Sequence, residues 1–289
     1  MTNVLPPLRD KQYGGAWSIH DPSTAEFLQN ISHDQGNTEK FVNDYSEWMC
    51  ENKIIKGIEK YKIKNFSAGT TETFDKFYHH HLHKRLRIHR GEYFYHHMMK
   101  RDCFQSSAYM DEDKIQKGDV VVMSCPFSDT GNLPPNFYSI LTACEDLDVP
   151  VMLDMAYINI SSIEQLDISF DCIKVITTSL SKYFPVENYR IGIRLMKEEL
   201  DDTLLAYNQT GYVNHFSVHV GHELIKNFNN QYILDNYKDK QTQFCNDLKL
   251  TPSQCVIFGI DLNNSYKEYN RGGDTNRLCF SRVWDGRIA

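Results

Sequence analysis

"TTSLSKYFPVENYRIGIRL", residues 177–195, sets one lysine, Lys182, in a hydroxyl-rich turn and follows it eight residues on with Arg190, which opens an apolar strand. The run into the turn, "CIKVITTSLS" (172–181), and the run out of it, "RIGIRLMK" (190–197), both read as strands. Toward the N-terminus, "VPVMLDMA" (149–156) and "GDVVVMSC" (118–125) are two more buried strands. Between them "PPNFYSILTACEDLD" (134–148) is a helix whose Phe137, Ile140, Leu141, Cys144 and Leu147 share one face. "TETFDKFYHHHL" (71–82) repeats the pattern with Phe74, Phe77, Tyr78 and Leu82. Strands alternating with helices predict an α/β fold, a mainly parallel sheet flanked by helices, and such sheets bind ligands beyond the carboxyl ends of their strands. The residues at those ends are Ser128, Asp129 and Thr130, then Asp154 and Tyr157, then Ser179, Ser181 and Lys182. They are expected to converge on one crevice.

Three regions follow from the pattern: an N-terminal segment 1–60 with a turn at "YGGAW", a large domain 61–205, and a small α+β C-terminal domain 206–289. The last contains two strand-like runs, "QCVIFGIDL" (254–262) and "RLCFSRV" (277–283). A chain of 289 residues with 41% apolar side chains can bury a sizeable core. Its net charge of -7 argues against a general grip on nucleic acid or anionic lipid, and no nucleic-acid partner is expected. No apolar run is long enough to cross a bilayer and the N-terminus carries no apolar leader, so no membrane is expected and cytoplasm is the expected location. Eight cysteines without a C-x-x-C pair read as reduced thiols rather than a zinc ribbon or a disulfide framework. Seven histidines crowd residues 79–97, and His79 and His83 stand at i, i+4, but no further ligand sits at metal-binding spacing. A solvated or interface helix face is the expected reading, and no metal is assigned.

An acid, a phenol, hydroxyls, a lysine and an arginine at strand ends together resemble a fold-type I pyridoxal-phosphate enzyme, most similar to the class I and II aminotransferases. "SLSKYFPVENYRIG" resembles that family's S-x-S-K segment with its arginine eight residues on. The resemblance implies that Lys182 is the Schiff-base residue and proton shuttle, with Ser179 and Arg190 on the cofactor phosphate. "LDMAY" resembles the family's D-x-x-Y, implying that Asp154 pairs with the pyridine nitrogen and Tyr157 with the 3'-oxygen. "SAGTTETF" is similar to the turn that cradles the phosphate, with Gly69, Thr70 and Thr71 at a helix N-terminus. In "HRGEYFY" the ring expected to stack on the pyridine is Tyr93, with Phe94 as second choice.

"SCPFSDTG" stands where the family has N-P-x-N-P-T-G, and departs from it. Ser128 replaces the asparagine that donates to the 3'-oxygen, and Asp129 replaces the following proline; a hydroxyl still donates, with shorter reach. "TNRLCFSR" resembles the strand whose arginine clamps the substrate carboxylate, implying Arg277, with Arg282 as the alternative. Only ninety-five residues separate Lys182 from Arg277, so the small domain is trimmed. The family implies a homodimer with the active site at the interface, and "GYVNHFSVH" (211–219) is the candidate segment crossing to the neighbour, with Asn214 or Ser217 near the phosphate. Amino-acid and 2-oxo-acid substrates and transamination are the expected chemistry. A lyase or decarboxylase of the same fold, or a non-catalytic cofactor-binding protein, is the alternative.

Overall fold

The structure, a computed structural model, describes residues 16–284, so most of the "YGGAW" turn falls outside it. Two helices come first, α1 (Pro22–Gln29) and α2 (Thr38–Trp48), each capped from in front: Asp21 accepts from the Thr24 amide at 3.0 Å and Asn37 from the Lys40 amide at 2.9 Å. Next are β1 (Ile54–Lys56), β2 (Ile63–Ala68), α3 (Thr70–His81), β3 (Arg85–Ile88), α4 (Phe94–Asp102), β4 (Ser107–Tyr109) and β5 (Asp119–Ser124). Then follow α5 (Phe137–Asp146), β6 (Val151–Asp154), β7 (Gln165–Asp167), β8 (Ile173–Ser179) and β9 (Ile191–Met196). The remainder comprises α6 (Thr203–Thr210), α7 (His215–Asn227), α8 (Tyr232–Leu248), β10 (Thr251–Pro252), β11 (Phe258–Asp261), β12 (Asn276–Cys279) and α9 (Ser281–Trp284).

Seven strands form the central sheet in the order β2-β9-β8-β6-β5-β3-β4. From β4 across to β8 every pairing is parallel, whereas β9 is antiparallel to both its neighbours, β8 and β2. One strand therefore begins at the edge where the other six end. Side chains alternate between two cores: Val121, Met123, Leu153 and Ile176 face α2, α5 and α7, while Val120, Val122, Met152 and Val175 face α3. Burial on both faces is why these strands read as continuous apolar runs in the sequence.

The segment before residue 60 places α2 against α7 and β2, and β1 pairs in parallel with β7. Near the C-terminus β10, β11 and β12 make a small antiparallel sheet with its own core of Cys245, Leu248, Leu250, Tyr269, Leu278 and Phe280. Two expected strands come out shorter than their apolar runs: β11 starts only at Phe258, and after Cys279 the chain coils into α9. Both differences arise where apolar residues pack in a turn, which an apolar run alone does not distinguish from a strand.

Candidate active site

β8 ends at Ser179, and Leu180–Lys182 forms one tight turn stapled by the Ser179 hydroxyl, which accepts from the Ser181 amide at 3.3 Å. The turn aims Lys182 across the sheet edge, where its Nζ lies 5.9 Å from the Tyr157 ring centroid and donates to the Ala16 carbonyl. Because β9 runs backwards, its first residues meet the ends of β8 and β2: Gly192 pairs with Ser179, and Ile191 with Ala68. Arg190, just ahead of β9, is thereby delivered to the N-terminus of α3. Its Nη2 donates to Thr71 Oγ1 at 2.8 Å, and its backbone sits at φ 57°, a left-handed conformation that a non-glycine residue holds only under constraint.

Gly69 fits beneath that guanidinium. A Cβ there would come within 2.8 Å of Arg190 Cζ, and the residue's φ of 75° with ψ of 177° is a region open almost only to glycine. Thr70 and Thr71 follow as the first residues of α3, so their amides face the same space as the guanidinium. A positive side chain, a helix N-terminus and hydroxyls around one spot can hold an anion.

Asp154 is the last residue of β6 and is 3% exposed. Its Oδ1 accepts from the Ala156 amide at 3.0 Å, and its Oδ2 lies 3.8 Å from Nε2 of the fully buried His96. His96 Nδ1 is in turn hydrogen-bonded to the Tyr78 hydroxyl. Tyr93, immediately before α4, faces the cleft, and burial raises its phenol pKa. Phe94 turns instead to an adjoining cavity with Arg90, His97 and Tyr109.

Eight of the eleven residues singled out from the sequence line one cleft: Thr70, Thr71, Tyr93, Asp154, Tyr157, Ser179, Lys182 and Arg190. Gly69 supports it from below. Ser128 and Arg277 are not in its lining but are joined to one another: the fully buried Arg277 donates from Nη1 to the Ser128 carbonyl. The Arg277 guanidinium also lies 4.1 Å from the Phe258 ring centroid, and Phe258 packs edge-on against Tyr157 at 5.3 Å, which connects it to the cleft. Arg282 sits apart in α9, over the Trp17 ring at 4.3 Å. Asn214 caps α7 through the Ser217 amide at 3.0 Å, and Ser217 donates to the carbonyl of Tyr189, the neighbour of Arg190, at 2.8 Å.

The departures in "SCPFSDTG" have local explanations. Asp129, 2% exposed, accepts from the Thr275 hydroxyl at 2.9 Å and is wrapped by Gly91 and Gly273; a Cβ on either would come within 2.7 Å and 2.9 Å, respectively, of its side-chain carbons. Burial raises its pKa. The carboxylate thus ties the loop after β5 to the loop before β12, an attachment a proline could not make. The Ser128 Oγ is buried and has no hydrogen-bond partner among the described residues.

Three features were not foreseen. The histidine-rich segment is not one uniform face: His79, His80 and His83 are exposed, but His81, His89 and His96 are buried. His96 stands three residues after Tyr93, on the same side of the helix, and that spacing was the available signal. Glu92, 2% exposed, accepts from both the amide and the hydroxyl of Ser124. Residues 16–20 cross the site: besides Ala16 on Lys182, Ser18 donates its amide at 3.2 Å and its hydroxyl at 2.5 Å to Glu187.

Among the described residues no helix is long and apolar enough to cross a membrane, and no group of three or more His, Cys, Asp or Glu side chains is placed to hold a metal. No curated protein matches the sequence. Among solved structures, the aromatic aminotransferase from Pyrococcus horikoshii OT3 superposes with a TM-score of 0.68 at 10% identity, covering 95% of this chain and 91% of that one. The tyrosine aminotransferase from Leishmania infantum gives 0.66 at 10% identity over 98% and 91% of the two chains. The PLP-bound C-S lyase from Staphylococcus hominis gives 0.62 at 14% identity over 88% and 76%. At these identities the likeness is one of fold. The sequence pattern of aminotransferase class I and II matches residues 65–256, two thirds of the chain, a span that includes the Gly69, Asp154 and Lys182 segments together. The chain therefore belongs to the class I and II aminotransferase family, pyridoxal-phosphate enzymes of fold type I.

Proposed function

We propose that the protein carries pyridoxal phosphate on Lys182 and transfers the amino group of an amino acid to a 2-oxo acid. The observation that carries the reading is the gathering of Lys182, Asp154, Tyr157, Tyr93, Ser179 and Arg190 in one cleft from four separate stretches of chain. The residues present fit the cofactor. The glycine at 69 leaves room only for the Arg190 guanidinium at an anion-favouring helix start, a buried carboxylate stands opposite the lysine turn, and the Ser128 hydroxyl is a buried donor with no partner among the described residues.

When bound, pyridoxal phosphate supplies an electron sink for the pair left on an amino acid's α-carbon as a bond there breaks. Thr70, Thr71, Ser179 and Arg190 would hold the phosphate, Arg190 through a forked, charge-assisted contact. Asp154, oriented by the Ala156 amide and backed by His96, would keep a proton on the pyridine nitrogen. Tyr157 and Ser128 would donate to the ring's 3'-oxygen, and Tyr93 would cover its face. Lys182 would hold the cofactor covalently, then use its freed Nζ to move a proton at the substrate's α-carbon. Arg277 would clamp the substrate carboxylate. A homodimer with the site near the interface belongs to the same reading.

Borohydride reduction and peptide mapping test the first half: the reduced adduct is expected on Lys182, and an adduct elsewhere or no bound cofactor overturns it. Mass spectrometry of both products from amino donors paired with 2-oxo acids tests the second. Amino transfer supports transamination; release of ammonia, a thiol or CO₂ without transfer assigns the cleft to a lyase.

A further inference from the structure

We propose that Glu92 is a positioning residue of this site, acting through Ser124 to fix Ser128 and, beyond it, Arg277. The proposal rests on the cofactor reading of the cleft. Glu92 lies between β3 and Tyr93, and both its carboxylate oxygens bond to Ser124 at the end of β5: Oε1 accepts the Ser124 amide at 2.9 Å and Oε2 accepts its hydroxyl, beside a longer contact of 3.3 Å from the Tyr93 amide to Oε2. With its proton committed to Glu92, the Ser124 hydroxyl presents a lone pair to the Ser128 amide, which donates to it at 2.8 Å. The Ser128 carbonyl then accepts from Arg277. Four residues from three distant parts of the chain thus form one directed series of hydrogen bonds.

Stability alone gives a poor account of the acid. A carboxyl group removed from water is costly, and an apolar side chain of similar volume fills such a position at least as well. Burial raises the Glu92 pKa, and no arginine or lysine side chain bonds to it among the described residues. What a carboxylate does here that a leucine cannot is orient the Ser124 hydroxyl. The need for this follows from residue 128 itself. A serine hydroxyl reaches less far than an asparagine amide and rotates freely, so its backbone must be held to a narrower placement for the same hydrogen bond. Glu92 meets that need from behind, and the same series sets the carbonyl on which the Arg277 guanidinium rests. The charges of His96 and Asp154 also act on the Glu92 carboxyl, so one buried acid interacts electrostatically with the pyridine-nitrogen side of the cleft and by hydrogen bonds with the carboxylate-clamp side.

The test uses purified holoprotein with Glu92→Leu, Glu92→Gln, Ser124→Ala and Ser128→Ala, read by cofactor absorbance, KM and kcat for the amino donor, and thermal melting. Glu92→Leu and Ser124→Ala are expected to shift the absorbance maximum as Ser128→Ala does and to raise KM about tenfold or more with a smaller change in kcat. Combining Glu92→Leu with Ser128→Ala is expected to move the absorbance little beyond either single change, while KM follows Glu92→Leu, because Ser128→Ala keeps the backbone amide and carbonyl of the series. Glu92→Gln, which can accept from the Ser124 amide and donate to its hydroxyl, is expected to recover most of the wild-type KM. Wild-type absorbance and KM in both Glu92→Leu and Ser124→Ala, or fully additive absorbance shifts with Ser128→Ala, overturn the proposal. If Glu92→Leu does not fold, Ser124→Ala and Glu92→Gln decide it. A wild-type protein with no lysine-bound cofactor sinks the functional reading instead, which the first spectrum reveals before any variant is compared.

Discussion

Replacing Gly69 with alanine separates backbone strain from cofactor binding. The residue holds φ 75° and ψ 177°, where an L side chain costs about 1–3 kcal/mol. The added methyl also meets Arg190, 2.8 Å from Cζ and closer to Nη2, so the guanidinium must move off its 2.8 Å bond to Thr71. A charged hydrogen bond of this kind contributes about 1.5–3 kcal/mol, which is roughly a 10- to 100-fold loss of affinity if Arg190 grips the cofactor phosphate. Titration of apoprotein with pyridoxal phosphate, followed by absorbance, measures that loss, and urea denaturation measures the strain. Gly118 supplies the control. Its φ is 94° but a Cβ there meets nothing within 4 Å, so Gly118→Ala is expected to lose stability on a similar scale while binding cofactor normally. Equal cofactor affinity in Gly69→Ala and Gly118→Ala would falsify the reasoning, because it would mean that displacing Arg190 has no consequence for the phosphate.

Asp154→Asn is expected to keep cofactor but lose kcat on the order of 10²–10³, as removal of a preorganised charge does; equal loss of cofactor and turnover would contradict the role. Arg277→Ala is expected to raise KM for an amino acid roughly 10- to 100-fold with the cofactor spectrum unchanged, and an unaltered KM would move the clamp elsewhere. Asp119, in which burial raises the pKa but hydrogen bonds from Arg85, the Gln116 amide and Arg87 together lower it further, contributes stability that is complete above the ordinary aspartate range and lost as pH falls below it. Asp119→Asn leaves the fully buried Arg87 with Asp113 as its remaining counter-charge and is expected to destabilise by about 1–3 kcal/mol at neutral pH, with a flatter decline in acid than wild type. Parallel urea curves for the two proteins across that range would refute the linkage.

The strands β5, β6, β8 and β9 were legible because burial on both faces makes them short, unbroken apolar runs, and the residues just beyond them were legible because ligands collect at such ends. The direction of β9 was not. An apolar run carries no arrowhead, yet it is the reversal of this strand that brings Arg190 to Gly69 and Thr71. His96 was hidden among other histidines because composition weights each one alike, whereas the fold buries His81, His89 and His96 and leaves His79, His80 and His83 exposed. Glu92 and the residues from Ala16 to Ser18 were missed for a different reason. Their meaning lies in contacts with Ser124, Lys182 and Glu187, and no local pattern encodes a partner so many residues away.

The Asp129 attachment makes the small C-terminal sheet a lever. Thr275 is pinned to the loop after β5, and Gly91 and Gly273 close on the pin so tightly that no side chain can loosen it. Arg277 lies two residues further along the chain, an arm of about 7 Å at the rise of an extended strand. A roughly ten-degree swing about this fulcrum carries the arginine backbone only about 1 Å, the scale on which misplacing a group in an active site changes rate by about 10². With Thr275 held so near, the backbone of Arg277 has little freedom to shift. One residue inserted after Thr275 would lengthen the arm without touching any residue of the cleft.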